Sequence, residues 1–317
     1  MKILVIFTGG TIGSAAENGV ISTNENSKRL LIENYYNKSG VIFETTQPYF
    51  ELSENNSGNN ITALIKCVKE NKNNFDGIIV AHGTDSLQYS AAAVSYATGN
   101  NTVPIVFVSA NHPLNDDHTN GNDNFKGAVD FILQKGGKGV FVCYKNSNER
   151  IYIHRGTRLL AHNEFCDDLF SINNKYYGII KNGKFIKNNK YSEKADEILP
   201  PENITLNEHS NINVITAHPG MKFDSEGKIY LIQSYHSGTL PTKDKDFINF
   251  TQNNTVFLVG FDSKVFYESA KEYEKCEIII LPKTTFISAY IKLWIATDNN
   301  LSVNDFMLKS LGGDTAE

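Results

Sequence analysis

Two short stretches of this sequence place threonine hydroxyls where a reaction could use them. Thr11 follows a glycine pair in TGGTIGS (residues 8–14), and Thr84 precedes Asp85 in AHGTDS (residues 81–86). An alcohol is a weak nucleophile that needs a base beside it, and amide cleavage also needs N–H donors for the developing oxyanion. Glycine-flanked turns at strand ends supply such donors. Together the two stretches predict a candidate catalytic site in which Thr84, a second hydroxyl beside the carboxylate of Asp85, faces Thr11.

Each stretch also has a plainer interpretation. TGGTIG approaches the dinucleotide-binding pattern G-x-G-x-x-G without its first glycine, and Glu33 lies at about the position of the acid that contacts ribose. The glycines could equally serve a tight turn that needs positive φ. In the second stretch, Thr84 or Ser86 could cap the following helix, with Asp85 favouring the positive N-terminus.

The elements that must position these residues follow from the apolar pattern. Short runs rich in valine and isoleucine recur, and most are continuous, as in strands buried on both faces of a parallel sheet. The predicted strands are residues 3–7, 77–80, 105–108, 140–142, 212–216, 229–232, 256–259 and 277–281, and the predicted helices are 60–71, 86–97, 124–134 and 286–295. This alternation predicts an α/β fold with a mostly parallel central sheet flanked by helices. Ligands of such sheets bind beyond the carboxyl ends of the strands.

A polar segment with a Pro-Pro pair divides the chain. It predicts a larger N-terminal α/β domain at residues 1–185, which carries both threonine motifs, and a linker at 186–210. A smaller C-terminal α/β domain is predicted at residues 211–317.

Composition argues against several classes of protein. The net charge is −5 and the lysines are scattered, so no nucleic-acid partner is expected. The four cysteines are far apart, form no C-x-x-C pair and predict reduced thiols without a metal site: Cys67, Cys143, Cys166 and Cys276. No apolar run approaches the ~18 residues of a membrane span, and the N-terminal run is too short for a signal peptide. We therefore expect a cytoplasmic protein without a membrane partner.

The paired threonine motifs, about 70 residues apart, resemble those of the asparaginase/glutaminase family of amidohydrolases. VFVSANHPL (106–114) is similar to the third-strand loop of that family, and TNGNDNFKGAV (119–129) to its S-D-G-x-x-N-L-x-x-A segment. INVITAHPGM (212–221) and LIQSYHSGTLP (231–241) are similar to two strands and loops of its second domain. The resemblance covers nearly the whole chain and is closest to the cytoplasmic, type I-like branch.

The resemblance implies a role for each matching residue. Thr11 would attack the side-chain amide of L-asparagine and form an acyl-enzyme, which water opens. Thr84 would act with a lysine and with Asp85, and Asp85 would also hold the α-ammonium group of the substrate. Ser53, in LSENN (residues 52–56), would contact the α-carboxylate.

Three glycine and acidic positions beside these residues are also predicted to contact the substrate: Gly10, Gly83 and Glu54. The resemblance further implies a small-molecule amino-acid amide as the substrate, no metal and no organic cofactor. It also implies a homodimer or homotetramer.

Three positions depart from the family pattern. Aligned through Gly156, Arg158 and Phe170, the lysine position falls on Ala161. Arg158 is always charged and cannot be a general base. The adjacent His162 could act as one, but on an extended segment it would point away from the side of Ala161.

The other two departures concern the flexible loop and the second domain. The tyrosine that activates the nucleophile in the family falls near Val20, and Tyr35 and Tyr36 lie further along the chain. The second-domain turn G-x-G-N reads Ser237-Gly238-Thr239. These departures keep two further hypotheses open. One is a catalytically altered member that acts on a different amide, and the other is a protein that binds an amino acid through Asp85 and Ser53 without turnover.

Overall fold

A computed structural model describes residues 1–17, 20–23, 30–35, 40–223, 228–261 and 267–316. Its strands are β1 (Lys2–Phe7), β2 (Ser14–Glu17), β3 (Val20–Thr23), β4 (Ile42–Thr46), β5 (Gly77–Ala81), β6 (Pro104–Val108), β7 (Gly139–Lys145), β8 (Ile151–Arg155), β9 (Gly178–Lys181), β10 (Lys184–Lys187), β11 (Asn213–Thr216), β12 (Ile229–Gln233), β13 (Thr255–Val259) and β14 (Ile278–Ile280). The α-helices are α1 (Gly58–Asn71), α2 (Leu87–Thr98), α3 (Gly121–Leu133), α4 (Lys245–Asn253), α5 (Phe286–Asp298) and α6 (Val303–Leu308).

The larger sheet has the strand order β10-β9-β8-β7-β6-β5-β1-β4. Strands β4, β1, β5, β6 and β7 pair in parallel, whereas β8, β9 and β10 extend the sheet in antiparallel fashion. Because β1 lies between β4 and β5, the loops that follow these three strands meet at one edge of the sheet.

Both faces of the larger sheet are covered. Leu4 and Ile6 of β1 pack with α1 and α2 on one face, and Ile3 and Val5 pack with α3 on the other. This two-sided burial is the physical reason for the continuous apolar runs in the sequence. The predicted α/β fold with a mostly parallel central sheet is confirmed.

The smaller sheet, with order β11-β12-β13-β14, is entirely parallel. Residues 188–212 between the two sheets contain neither helix nor strand. They lie along α1, and Ile204 and Leu206 enter the same hydrophobic cluster as α2. Helix α5 joins that cluster through Ile291 and Ile295. The boundaries at 185, 186–210 and 211 stay a prediction.

Two elements are of kinds that continuous apolar runs do not predict, a short hairpin and a 3₁₀ helix. Strands β2 and β3 form an antiparallel hairpin directly after the first glycine turn. Glu268–Lys275 forms a 3₁₀ helix that buries Ala270 and Tyr273. Among the helices that the structure describes, none combines the length and apolar character needed to cross a membrane.

Candidate active site

The turn after β1 is built on backbone contacts that only glycine permits. Gly9 and Gly10 have φ of 106° and 74°. A Cβ atom on Gly9 would lie 2.1 Å from the carbonyl oxygen of Glu51, and one on Gly10 would lie 2.1 Å from Cα of Gly83. Gly10 N–H also donates to the carbonyl of Glu51 at 3.0 Å. The chain after β1 is therefore held between the chain after β4 and the chain after β5, and Thr11 begins a 3₁₀ turn at this point.

The turns after β1, β4 and β5 are called the first, second and third turns of the site. Ser53 lies in the second turn and is hydrogen-bonded to the third. Its hydroxyl donates to Oδ2 of Asp85 at 3.2 Å and accepts from Asp85 N–H at 3.2 Å. The Ser86 hydroxyl donates to the main-chain carbonyl of Ser53 at 2.7 Å. Ser86 is the N-cap residue of α2, but its side chain makes no capping bond. The side-chain cap that the sequence offered as one interpretation of Ser86 is therefore wrong, because the hydroxyl is used to hold the Ser53 turn.

The structure thus brings the predicted catalytic and substrate-contacting residues into three adjacent turns. Thr11 and Thr84 are partly exposed, Asp85 is exposed and Ser53 is buried. In the described part of the chain, the main-chain N–H groups of Thr11 and Thr84 donate to no protein acceptor. They can therefore serve an oxyanion. Glu54 lies at the rim, in the wall of a cavity of about 520 Å³ that also includes Ser53 and Asp85.

The buried side chain of His82 is hydrogen-bonded to the main chain of the third turn at Gly83. Burial lowers the pKa of His82 to about 4, so the ring is neutral at pH 7. His82 Nδ1 lies 2.8 Å from the carbonyl oxygen of Gly83, which can only accept, so Nδ1 carries the proton. His82 Nε2 then faces the side-chain amide of Asn56 at 3.5 Å, and that amide donates to Ser90 at 3.0 Å. The ring positions Gly83 rather than acting as a base.

The position implied for a lysine lies beside a cavity. This cavity, of about 410 Å³, is called the Ala161 cavity and is lined by Thr84, Asp85, Gln88, Tyr89, Asn111, Tyr144, Ala161, His162, Asn163, Phe165, Cys166, Asp167 and Ile287. Its described lining does not include Thr11, Ser53 or Gly10. The cavity therefore borders the turn that contains Thr84 and not the turn that contains Thr11.

His162 and Arg158 have roles that the sequence did not indicate. His162 and Ala161 both contribute to the lining of this cavity, and the expectation that their side chains point to opposite sides stays a prediction. Residues 160–163 form neither helix nor strand. Arg158 is fully buried and donates to the carbonyls of Gly313, Ser192 and Thr315 at 2.8, 2.7 and 2.6 Å. Its charge holds the C-terminal segment and lies outside the site.

The described residues do not identify the tyrosine that the resemblance implies for the flexible loop after the first motif. The side chain of Val20 and the whole of Tyr36 lie outside them. Tyr35 packs edge-on against Phe43 and Phe125, with ring centroids 5.5 and 5.9 Å away. It is thus part of the hydrophobic cluster on one face of the larger sheet.

The second-domain turn is held by side chains of its own domain. Gly238 has φ of 77°, and its carbonyl accepts from the Tyr273 hydroxyl at 3.0 Å. The hydroxyls of Ser237 and Thr239 lie 3.0 Å apart. Within the described part of the chain, no group of three or more histidine, cysteine or carboxylate side chains is arranged to hold a metal ion.

Comparison with known proteins adds relatives by sequence. The family model described as "Asparaginase, N-terminal" matches residues 2–192. An L-asparaginase of Thermococcus kodakarensis is 29% identical over 160 residues, which is 50% of this chain and 47% of that protein. A subunit of the glutamyl-tRNA(Gln) amidotransferase of Methanosarcina acetivorans is 32% identical over 213 residues, which is 63% of this chain and 49% of that protein. The matched regions span about half the length of these curated relatives.

Solved structures share the whole architecture. The thermostable L-asparaginase from Thermococcus kodakarensis superposes with a TM-score of 0.82 at 20% identity, covering 100% of both chains. L-asparaginase I from Vibrio cholerae superposes with a TM-score of 0.79 at 19% identity, covering 100% of this chain and 99% of that one. At such identities the likeness shows the fold. The family model covers more than half of the chain, including all three turns of the site, and the chain therefore belongs to the asparaginase family.

Proposed function

We propose that the protein is an amidohydrolase that converts the side-chain amide of L-asparagine, or a related amide, into the acid and ammonia. The observation that supports the proposal is the backbone contact of Gly10 with Gly83, by which the turn that begins at Thr11 lies next to the turn that contains Thr84 and Asp85. Membership of the asparaginase family supports the same reaction class.

In the proposed reaction, the Thr11 hydroxyl oxygen attacks the amide carbon and the C–N bond breaks. The nitrogen takes up the proton that the hydroxyl loses and leaves as ammonia, and an ester links the acyl group to Thr11. Water then adds to the ester, which yields the carboxylic acid and restores the hydroxyl. We assign the stabilisation of the oxyanion that forms in both steps to the N–H groups of Thr11 and Thr84, which have no acceptor within the described part of the protein.

Asp85 and Ser53 are proposed to hold the amino-acid end of the substrate. The exposed carboxylate of Asp85 suits an α-ammonium group, and the Ser53 hydroxyl suits an α-carboxylate. The Ser53 hydroxyl already touches Asp85. Because a hydroxyl rotates freely about its C–O bond, Ser53 can exchange this contact for one to the substrate. Glu54 lies beside this pair at the cavity rim.

The proposal is tested by ammonia release from L-asparagine and L-glutamine, with Thr11→Ala as the key variant. We expect release by the unaltered protein, none by Thr11→Ala, and an unchanged rate for Thr205→Ala. Thr205 is a matched control because it is an exposed threonine on the irregular segment along α1. Ammonia release that continues unaltered in Thr11→Ala would refute the assignment.

A second candidate function follows from Ala161. General acid–base help is worth about 10²–10⁴-fold, so a site without a basic group at this position could bind an amino acid with little turnover. Calorimetry with L-aspartate, together with ammonia assays on peptide-linked and modified asparagines, separates the cases. Binding without ammonia release from any amide supports a binding protein, and release from a modified asparagine alone supports an altered enzyme.

The assembly and location of the protein are proposed with the function. We propose a homodimer or homotetramer in the cytoplasm, acting on a small molecule. Light scattering of the purified chain measures the mass directly, and a monomer at assay concentration would contradict the oligomer.

A further inference from the structure

The side-chain amide of Asn56 lies between the second and third turns of the site. Asn56 directly follows the 3₁₀ turn Ser53–Asn55, and its Nδ2 donates to the hydroxyls of Ser86 at 3.3 Å and Ser90 at 3.0 Å. Ser86 precedes α2, and Ser90 is buried on that helix. Nε2 of the neutral His82 ring lies 3.5 Å from the same amide nitrogen. Acceptors on the third turn and on α2 therefore converge on one amide group of the second turn.

The contacts of Asn56 continue to the main chain of Ser53. The Ser86 hydroxyl accepts from Asn56 and donates to the Ser53 carbonyl at 2.7 Å, so the two hydrogen bonds run in one direction and strengthen each other. The same carbonyl accepts from the main-chain N–H of Asn56 at 3.2 Å. Asn56 thus holds the Ser53 carbonyl twice, once directly and once through Ser86.

This attachment leaves the side chain of Ser53 free to change its partner. The Ser53 hydroxyl donates to the carboxylate of Asp85 and accepts from its main-chain N–H. A substrate that takes the hydroxyl and the carboxylate for its own two charged groups would break the bond between them. The position of Ser53 is then set mainly by its carbonyl, whose bonds to Asn56 and Ser86 the proposed substrate contacts do not involve.

We infer that Asn56 is a positioning residue that sets the specificity of the site for the L-amino-acid end of its substrate. It acts through Ser86 on Ser53, and through Ser53 on Asp85. L- and D-asparagine present the same amide to Thr11 and differ in where the α-ammonium and α-carboxylate groups point. Discrimination between them therefore depends on a fixed separation of Ser53 and Asp85. The inference rests on the proposed function, because it takes these two residues as the groups that hold the amino-acid end.

Asn56→Leu removes the amide and keeps a side chain of similar size. We expect the KM for L-asparagine to rise about tenfold and kcat to stay within about threefold, because the lost hydrogen bonds act on substrate binding and not on Thr11. The ratio of kcat/KM for L-asparagine to that for D-asparagine should fall about tenfold. A contact that served stability alone would leave this ratio unchanged. Calorimetry with L- and D-aspartate measures the same ratio, as Kd values, without turnover.

Two comparison variants locate the effect. Asn59→Leu makes the same change at an exposed asparagine in the first turn of α1 and should alter neither KM nor the ratio. Ser86→Ala deletes the hydroxyl through which Asn56 acts, and because that side chain makes no capping bond, its loss leaves the α2 cap unchanged. It should reproduce the rise in KM, and the double variant Asn56→Leu/Ser86→Ala should be no worse than the larger single effect. Ser86→Ala also carries the test if Asn56→Leu does not fold.

The outcomes separate this inference from the proposed function. Binding of L-aspartate that Asn56→Leu weakens, without ammonia release from any amide, supports the role of Asn56 and overturns only the proposed function. Ammonia release from L-asparagine with an unchanged ratio in Asn56→Leu, or with additive losses in the double variant, overturns the role of Asn56 and leaves the proposed function intact. An unaltered protein that neither releases ammonia nor binds L-aspartate would overturn both.

Discussion

Gly10→Ala tests the backbone contact on which the proposed site depends. The added Cβ would lie 2.1 Å from Cα of Gly83, whereas non-bonded carbons are in contact at about 3.5–4.0 Å. The two turns would have to separate by about 1.5 Å. Gly10 has φ of 74° and ψ of −174°, a region that is essentially restricted to glycine, so alanine there adds strain of about 1–3 kcal/mol. Because a displacement of about 1 Å can cost about 10²-fold in rate, we expect Gly10→Ala to lose at least that factor in ammonia release.

Two further glycines separate steric displacement from backbone strain. Gly83 has no positive φ, yet a Cβ there would lie 2.5 Å from both Cβ and Oγ of Ser53, so Gly83→Ala should lose activity without the strain. Gly220 has φ of 77°, and no described atom would lie within 4 Å of a Cβ added there. Gly220→Ala should therefore lose about 1 kcal/mol of stability and no activity.

The assay is ammonia release at saturating L-asparagine, with thermal unfolding measured on each variant. The reasoning would be refuted by a folded Gly10→Ala protein whose rate stays within about threefold of the unaltered protein. If Gly10→Ala does not fold, Gly83→Ala carries the same test, because only the turns must shift.

Three further predictions concern stability. Burial lowers the pKa of His154 to about 3 and that of His82 to about 4. As the pH falls, the unfolded chain therefore takes up protons on these rings before the folded protein does. The free energy of unfolding should decrease below about pH 6.5, by at most about 1.4 kcal/mol per pH unit for each ring. Urea unfolding between pH 7 and pH 5 should show this loss, and His154→Gln should reduce it; equal slopes would contradict the assignment. Arg158→Met should lower the free energy of unfolding by about 3 kcal/mol or more and expose the C-terminal segment to proteases, because three carbonyls lose a charged donor; an unchanged urea midpoint would count against it. Lys292 and Asp314 form a buried ion pair at 2.6 Å, so Lys292→Met alone should cost about 3–5 kcal/mol and the double variant Lys292→Met/Asp314→Leu should recover much of that loss; additive losses in the cycle would disprove the coupling.

Local sequence was sufficient for the parallel strands that are buried on both faces, but the parallel edge strand β4, which is mostly exposed, was not predicted. Strands buried on both faces are continuous apolar runs, and the runs at 3–7, 77–80 and 105–108 became β1, β5 and β6 with shifts of one residue or less. Strands β8, β9 and β10 were not predicted. They are four or five residues long, and β10 is mostly exposed, so their apolar signal is weak. Their place is decided by successive antiparallel pairing of β8 with β7, of β9 with β8 and of β10 with β9, which no local pattern encodes.

The residues of the site could be found from motif spacing, but their contacts could not. Glycine pairs at strand ends indicate close approach without naming the partner, and the partners are Glu51 and Gly83. Ser86 sits where a helix cap is expected, yet its hydroxyl bonds to the carbonyl of Ser53, 33 positions away. A cap and a cross-turn bond use the same hydroxyl, and only the relative placement of two loops decides between them.

By itself the sequence determined which hydroxyls and carboxylates follow which strands, because parallel strands bring the residues at their carboxyl ends to one edge. The tertiary structure decided what surrounds Thr84. Arg158 is committed to carbonyls of the C-terminal segment up to 157 positions away, and Ala161 and His162 line one cavity with Gln88 and Tyr144. These contacts join segments whose separation along the chain carries no periodic signal. The packing of the whole chain therefore determines which charged groups lie near Thr84 and how much space is left beside it.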